Sequence, residues 1–282
     1  MPLTIERGAG IVGGSVRGVS LNALPTGAFE RMRDFLHERG VIVIRDQDLS
    51  EPDQIAFARR FGELQKIFIK EALSTDYPEL FFVSNIIENG KPKGSTDAGR
   101  FWHTDGAYLA RPHMASMLYA IEVPYRDGVA LGDTDFIGMG AAYDALPSPL
   151  KQRVEGLRAT HDVNHRYART ENAGEMLKRT AMFPPVSHPL VIRHPATGRR
   201  CLYVSEGYTS SIEGLPADEG AALLQALCTH VERPEFRYRH SWSPGDLVIW
   251  DNLATLHRAN FDYALPQRRL MRRATVAGQA IG

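Results

Sequence analysis

Short runs of β-branched and aromatic residues, closed off by Gly, Pro or Asp, restrict this chain more than any other feature. The runs are Val41–Arg45, Leu80–Val83, Ser116–Val123, Leu190–Arg193, Cys201–Val204, Phe236–Trp242, Leu247–Trp250 and Leu270–Val276. Each is a strand candidate. Pro195-Ala196-Thr197-Gly198 and Ser243-Pro244-Gly245-Asp246 read as turns joining consecutive strands. Only three helices read well. One runs from Thr26 to about Gly40 with Phe29, Met32 and Leu36 as its apolar stripe, and one from Ser50-Glu51-Pro52-Asp53 to Phe61-Gly62. The third spans Ala217 to Glu232. Helices first, strands later and little βα alternation give an α+β, mainly β architecture with packed helices, rather than a doubly wound sheet. The 282 residues suit a single domain, 1–282. Polar stretches near 65–77, 88–100 and 165–187 read as lid-like loops.

Charge narrows the partners. With 33 Lys+Arg against 33 Asp+Glu the net charge is zero, which argues against nucleic acid or an anionic membrane as a partner. No apolar stretch is long enough for a membrane span and no secretion leader is visible. Two cysteines, Cys201 and Cys228, make no disulfide scaffold, so a cytoplasmic location is expected. Whether the chain forms a homo-oligomer is left open. Arginine far outnumbers lysine, and arginine is the better carboxylate clamp.

Gly8-Ala9-Gly10-Ile11-Val12-Gly13 matches G-x-G-x-x-G, but a poor helix former follows it, so it reads as a glycine-rich hairpin. Trp102-His103-Thr104-Asp105 is more informative. In extended chain His103 and Asp105 project to one side and supply two adjacent metal ligands. One more histidine would complete the facial triad of non-haem iron oxygenases. Among the remaining histidines His257 is the best placed, after Trp250-Asp251-Asn252 at the end of a buried-looking strand. Arg269 and Arg273 then share one strand face and Arg268 and Arg272 the other, one pair inside and one solvated. Two arginines near a ferrous site could hold carboxylates.

These motifs, with Gly132-Asp133-Thr134 and Arg269-Leu270-Met271-Arg272-Arg273, resemble the taurine dioxygenase/2,4-dichlorophenoxyacetate dioxygenase family. Val43-Ile44-Arg45-Asp46-Gln47, Phe61-Gly62-Glu63-Leu64, Ala142-Tyr143-Asp144-Ala145-Leu146 and His194-Pro195-Ala196-Thr197-Gly198 extend the likeness over nearly the whole chain. The resemblance implies a double-stranded β-helix (jelly roll). It also implies an Fe(II)- and 2-oxoglutarate-dependent dioxygenase that hydroxylates a small anionic substrate with O2, releasing succinate and CO2.

Carried over, the iron ligands fall on His103, Asp105 and His257. The anchors of the distal 2-oxoglutarate carboxylate fall on Thr134 and Arg269, and a further arginine that meets the substrate's anionic group or the cofactor on Arg273. Asp262-Tyr263-Ala264-Leu265-Pro266 is one residue longer than the common form, so counting from His257 would select Arg268 instead. Substrate contacts are expected from Arg273, Lys70 and Tyr208, with Phe101, Trp102, Tyr108 and Tyr203 as further wall candidates. Taurine itself is disfavoured, because its binding residues in the family correspond to Ile67, Lys70 and Gly99. Asp105 favours hydroxylation over halogenation. Desaturation or isonitrile formation, a metal-dependent hydrolase on a similar barrel, and a silent ligand-binding homologue are the competing readings.

Overall fold

The computed structural model describes residues 3–66, 74, 76–96, 99–165 and 173–282. The long apolar runs are strands buried on both faces. Seven strands form one sheet in the order Thr4–Arg7, Gly14–Arg17, Val41–Ile44, Leu247–Asp251, Ala115–Glu122, Leu270–Val276, Leu80–Ser84. All neighbours run antiparallel except the second and third strands. Side chains alternate between faces. Ile42, Ile44, Met117, Tyr119, Leu247 and Ile249 meet the helices Thr26–Arg39 and Glu51–Ala58 through Phe29, Met32, Leu36, Ile55 and Phe57. Val41, Val43, Leu118, Val248, Trp250 and Met271 point the other way and pack with Phe136 and Trp242.

Phe136 belongs to a second sheet, of Arg237–His240, Thr134–Gly138 and Thr255–Ala259, all antiparallel. The turn Ser243–Asp246 therefore does not close a hairpin; it carries the chain from one sheet to the other. Pro195–Gly198 does join an antiparallel pair, Val191–Arg193 with Arg200–Leu202. A third sheet pairs Val186–Pro189, Arg158–His161 and Thr209–Ile212, and the Ala217–Val231 helix packs on it through Leu223 and Leu227. The fold is thus mostly β with several helices, and no described helix is long and apolar enough to cross a membrane.

The helix signals act as expected, with small shifts. Pro25 is the N-cap of the first helix, and Gly40 closes it in the left-handed conformation, φ 72°. Ser50 and Asp53 form a reciprocal capping box, which satisfies two of the helix's free N–H groups. That helix stops at Ala58 and continues to Gly62 only as turns.

Two expectations need correction. The 165–187 stretch is not all loop: residues 166–172 lie outside the described part, and Ala173–Met182 is a helix. Met176, Arg179 and Thr180 are less exposed than Leu177, Lys178, Ala181 and Met182, a helical spacing that the surrounding charge hides. Asn164 holds it through Met176 O at 3.0 Å and Arg179 Nη1 at 3.1 Å. The second correction concerns the arginine pairs. Arg269 and Arg273 do face inward, but of the opposite pair only Arg268 is solvated, ion-paired to Glu122 at 3.0 Å. Arg272 is buried under the Glu51–Ala58 helix, bonded to Gln54 Oε1 at 2.7 Å and Leu49 O, with its guanidinium over Tyr119. It ties that helix to the sheet. Arg272→Ala would orphan two buried acceptors and is expected to cost ~2–3 kcal/mol in urea unfolding while sparing metal binding.

Candidate active site

The inner faces of the two sheets enclose a cavity of about 460 Å³, within the usual range for small-ligand sites. His103, Asp105, His257, Thr134, Arg269, Arg273 and Tyr208 all line it. Lys70 and Ile67 lie outside the described residues. Gly99, Tyr108 and Lys66 are in the wall, whereas Trp102 and Tyr203 are buried behind it, Trp102 under the Arg258 guanidinium at 4.6 Å.

The triad comes together through backbone pairing between distant segments. His103 N–H donates to His257 O at 3.2 Å and His257 N–H to His103 O at 2.8 Å, a bridge that sets the two imidazoles side by side at 4.1 Å. His257 stands mid-strand, opposite Phe136, with Trp250 against its other side at 4.7 Å. His103 Nε2 and His257 Nε2 each lie 3.7 Å from an oxygen of Asp105, and all three ligand atoms fall within 4.8 Å of one another. His103 Nδ1 donates to Phe101 O at 2.7 Å, which leaves the Nε2 lone pair directed at Asp105. Orientation by such an outer bond is the usual partner of metal ligation.

Electrostatics favour the ligating forms. Burial opposes ionisation of Asp105, but Arg273, His257, His103 and Ser116 outweigh it and hold the carboxyl well below its ordinary range. Burial and the neighbouring His103 keep His257 neutral. A buried carboxylate with two imidazoles can hold a divalent cation on one side and leave its other side open.

The far end of the cavity is cationic. Arg269 is fully buried, and its Nε and Nη2 have no protein partner. Tyr263 flanks it, with the guanidinium carbon 5.7 Å from the ring centre. Among the described residues no carboxylate reaches it at ion-pair distance. Gly132 makes room, since a Cβ there would stand 2.9 Å from the Tyr263 ring and 3.1 Å from Arg269 Nε. Thr134 Oγ1 accepts from Trp242 Nε1 at 3.0 Å, so its own hydrogen is available to donate. A buried cation beside a free hydroxyl is a site for a carboxylate. Arg273 lies nearer the triad, its Nη2 3.0 Å from Asp105 Oδ1.

Three residues were missed in sequence. His113 lines the cavity with both ring nitrogens unpartnered, and burial lowers its pKa to about 4. Its signal was Gly106: a Cβ there would meet the His113 ring at 2.9 Å, at a φ of +74°. Ser116 and Asn252 carry hydrogen bonds to Asp105, and nothing in their spacing announces it.

Comparison with known proteins adds the chemistry. Residues 4–275 match the family model described as taurine catabolism dioxygenase TauD, TfdA family. The chain is 41% identical over 263 residues to the alpha-ketoglutarate-dependent 2,4-dichlorophenoxyacetate dioxygenase of Cupriavidus pinatubonensis, covering 89% of this chain and 88% of the relative. Pentalenolactone F synthase of Streptomyces arenae is 36% identical, with 82% and 80% covered. The crystal structure of AAD-2 with Mn(II) and N-oxalylglycine superposes with a TM-score of 0.82 at 33% identity, over 99% of this chain and 98% of that one.

Proposed function

The chain belongs to the TauD/TfdA family of Fe(II)- and 2-oxoglutarate-dependent dioxygenases, and from that premise we propose that His103, Asp105 and His257 are its iron ligands. Arg269 and Thr134 take the distal carboxylate of 2-oxoglutarate, and Arg273 an anionic group of the substrate. The observation that carries this reading is the fully buried Arg269 guanidinium, its Nε and Nη2 without a protein partner, in the same cavity as the triad. A hydrolase would have no use for it. When bound, iron and 2-oxoglutarate supply the oxidising chemistry, with succinate and CO2 as coproducts.

The chain's own residues do the positioning. Arg269 and Thr134 fix one end of the cosubstrate and the triad fixes the other, so orientation is set before the substrate arrives. With a divalent cation as Asp105's neighbour, Arg273 is left to pair with the substrate. Tyr108, Phe183 and Tyr208 pack edge to face at 5.1 and 5.4 Å and form an apolar wall that excludes water. The substrate that fits is a small organic anion with an apolar body, hydroxylated beside the metal. The phenoxyacetate activity of the Cupriavidus pinatubonensis relative supports that class. We read the two facing sheets as the walls of a double-stranded β-helix, residues 1–282 as one domain, and the location as cytoplasmic, in keeping with two free cysteines.

The test is succinate release with Fe(II), 2-oxoglutarate and O2 across 2,4-dichlorophenoxyacetate, (S)-phenoxypropionate, an alkyl sulfate and taurine. Substrate-dependent succinate is expected from an aryloxyalkanoate, and little from taurine. No succinate with any of them, together with no 2-oxoglutarate-dependent visible band under anaerobic conditions, would sink the proposal.

A further inference from the structure

Both oxygens of Asp105 face the imidazole pair, Oδ1 at 3.7 Å from His103 Nε2 and Oδ2 at 3.7 Å from His257 Nε2, but their other partners differ. Oδ1 faces Arg273 Nη2 at 3.0 Å, a cationic neighbour. Oδ2 accepts a hydrogen bond from Ser116 Oγ at 2.7 Å. Ser116 is fully buried and sits on the central Ala115–Glu122 strand, so its hydroxyl has no water to turn to. Its lone pair is claimed by Asn252 Nδ2 at 3.0 Å. The polarity of the chain is then determined throughout. A carboxylate only accepts, so Ser116 must donate to Asp105, and Asn252 must donate to Ser116. Asn252 is itself locked the right way round, because its Oδ1 takes the Asp105 N–H at 3.4 Å. Its backbone is held by Met114 O at 3.0 Å and by the Thr104 hydroxyl at 2.5 Å. The next residue back, Asp251, takes His37 and His194 at 3.0 and 2.8 Å and fixes the segment from the other side.

Resting on the iron-site reading above, we infer that Ser116, aimed by Asn252, is a positioning residue that restricts Asp105 to one metal-facing oxygen. The consequence is a count of open positions. A metal held here by three protein atoms would keep three positions open for its cosubstrates. A carboxylate free to rock and offer both oxygens would occupy one of those three. The Ser116 bond ties up Oδ2 and keeps that position open. The Trp250-Asp251-Asn252 motif thereby acquires a division of labour: Trp250 packs on His257, Asp251 anchors the segment, and Asn252 orients the hydroxyl that restrains Asp105.

The two variants to make are Ser116→Ala, which removes the donor, and Asn252→Asp, which keeps the shape but turns the Ser116 hydroxyl away from Asp105. Mn(II) affinity is read by electron paramagnetic resonance. Cosubstrate affinity is read by the anaerobic visible band of the Fe(II) enzyme titrated with 2-oxoglutarate, and folding by circular dichroism. In both variants 2-oxoglutarate affinity is expected to fall about tenfold, the lower end of what losing an outer partner of a metal ligand costs, while Mn(II) affinity falls by clearly less. A merely structural role would weaken both together. Variants matching wild type in 2-oxoglutarate affinity, or losing metal and cosubstrate in proportion, overturn the inference. A wild-type enzyme with no band at all would instead overturn the iron-site reading beneath it.

Discussion

Asp105→Ala should leave a folded protein that no longer binds Mn(II) or forms succinate. Removing an outer partner of a metal ligand typically costs 10–100-fold, so losing the only charged ligand is expected to cost more than ~100-fold in metal affinity. The argument is electrostatic as much as geometric. His103 and His257 carry no negative charge in a buried cavity, and without the carboxylate nothing in the triad offsets a divalent charge. Stability should also fall, because Arg273 and Ser116 lose their shared partner. Asp105→Asn separates the two effects. It keeps the volume and can still accept from Ser116, so it should lose metal with a smaller drop in unfolding free energy. Retention of wild-type Mn(II) affinity by either variant would remove Asp105 from the ligand set.

What the sequence disclosed and what it hid follow one physical division. The sheet that is buried on both faces was legible, because its strands are continuous apolar runs such as Val41–Ile44 and Leu247–Asp251. Of the second sheet only Arg237–His240 was, inside the Phe236–Trp242 run. Thr134–Gly138 and Thr255–Ala259 carry Thr, Asp, His and Arg where cavity chemistry needs polar atoms, so they lack the run that marks a strand. Residues His103 and Asp105 were legible as a local pair. Their partnership with Ser116 and Asn252 was not, since it joins positions 11 and 147 residues from Asp105 through sheet register alone. Arg272 shows the converse: a strand parity assigned it the same face as Arg268, and only the helix packed above decides that one is buried and the other solvated.

Arg269→Met should move stability and activity in opposite directions. Arg269 is a buried guanidinium with Nε and Nη2 unpartnered, and burial already lowers its affinity for the proton. Holding that charge without an anion is costly, and replacing such a group with an apolar side chain of similar length is often stabilising by ~1–4 kcal/mol. The variant without ligand is therefore expected to melt later than wild type. Its affinity for 2-oxoglutarate should fall by ~2–5 kcal/mol, the usual cost of truncating one partner of a buried hydrogen-bonded charge pair. The loss belongs in KM for 2-oxoglutarate, with Mn(II) affinity intact, because Arg269 lies at the end of the cavity away from Asp105. Arg268→Ala is the matched control. Its side chain is solvated and paired with Glu122, an arrangement worth little, so KM should stay within about twofold of wild type. If Arg268→Ala raised KM for 2-oxoglutarate and Arg269→Met did not, the carboxylate anchor would have to be reassigned to the neighbouring arginine. A later-melting Arg269→Met protein that also fails to saturate with 2-oxoglutarate would identify the buried charge as stability given up for cosubstrate binding.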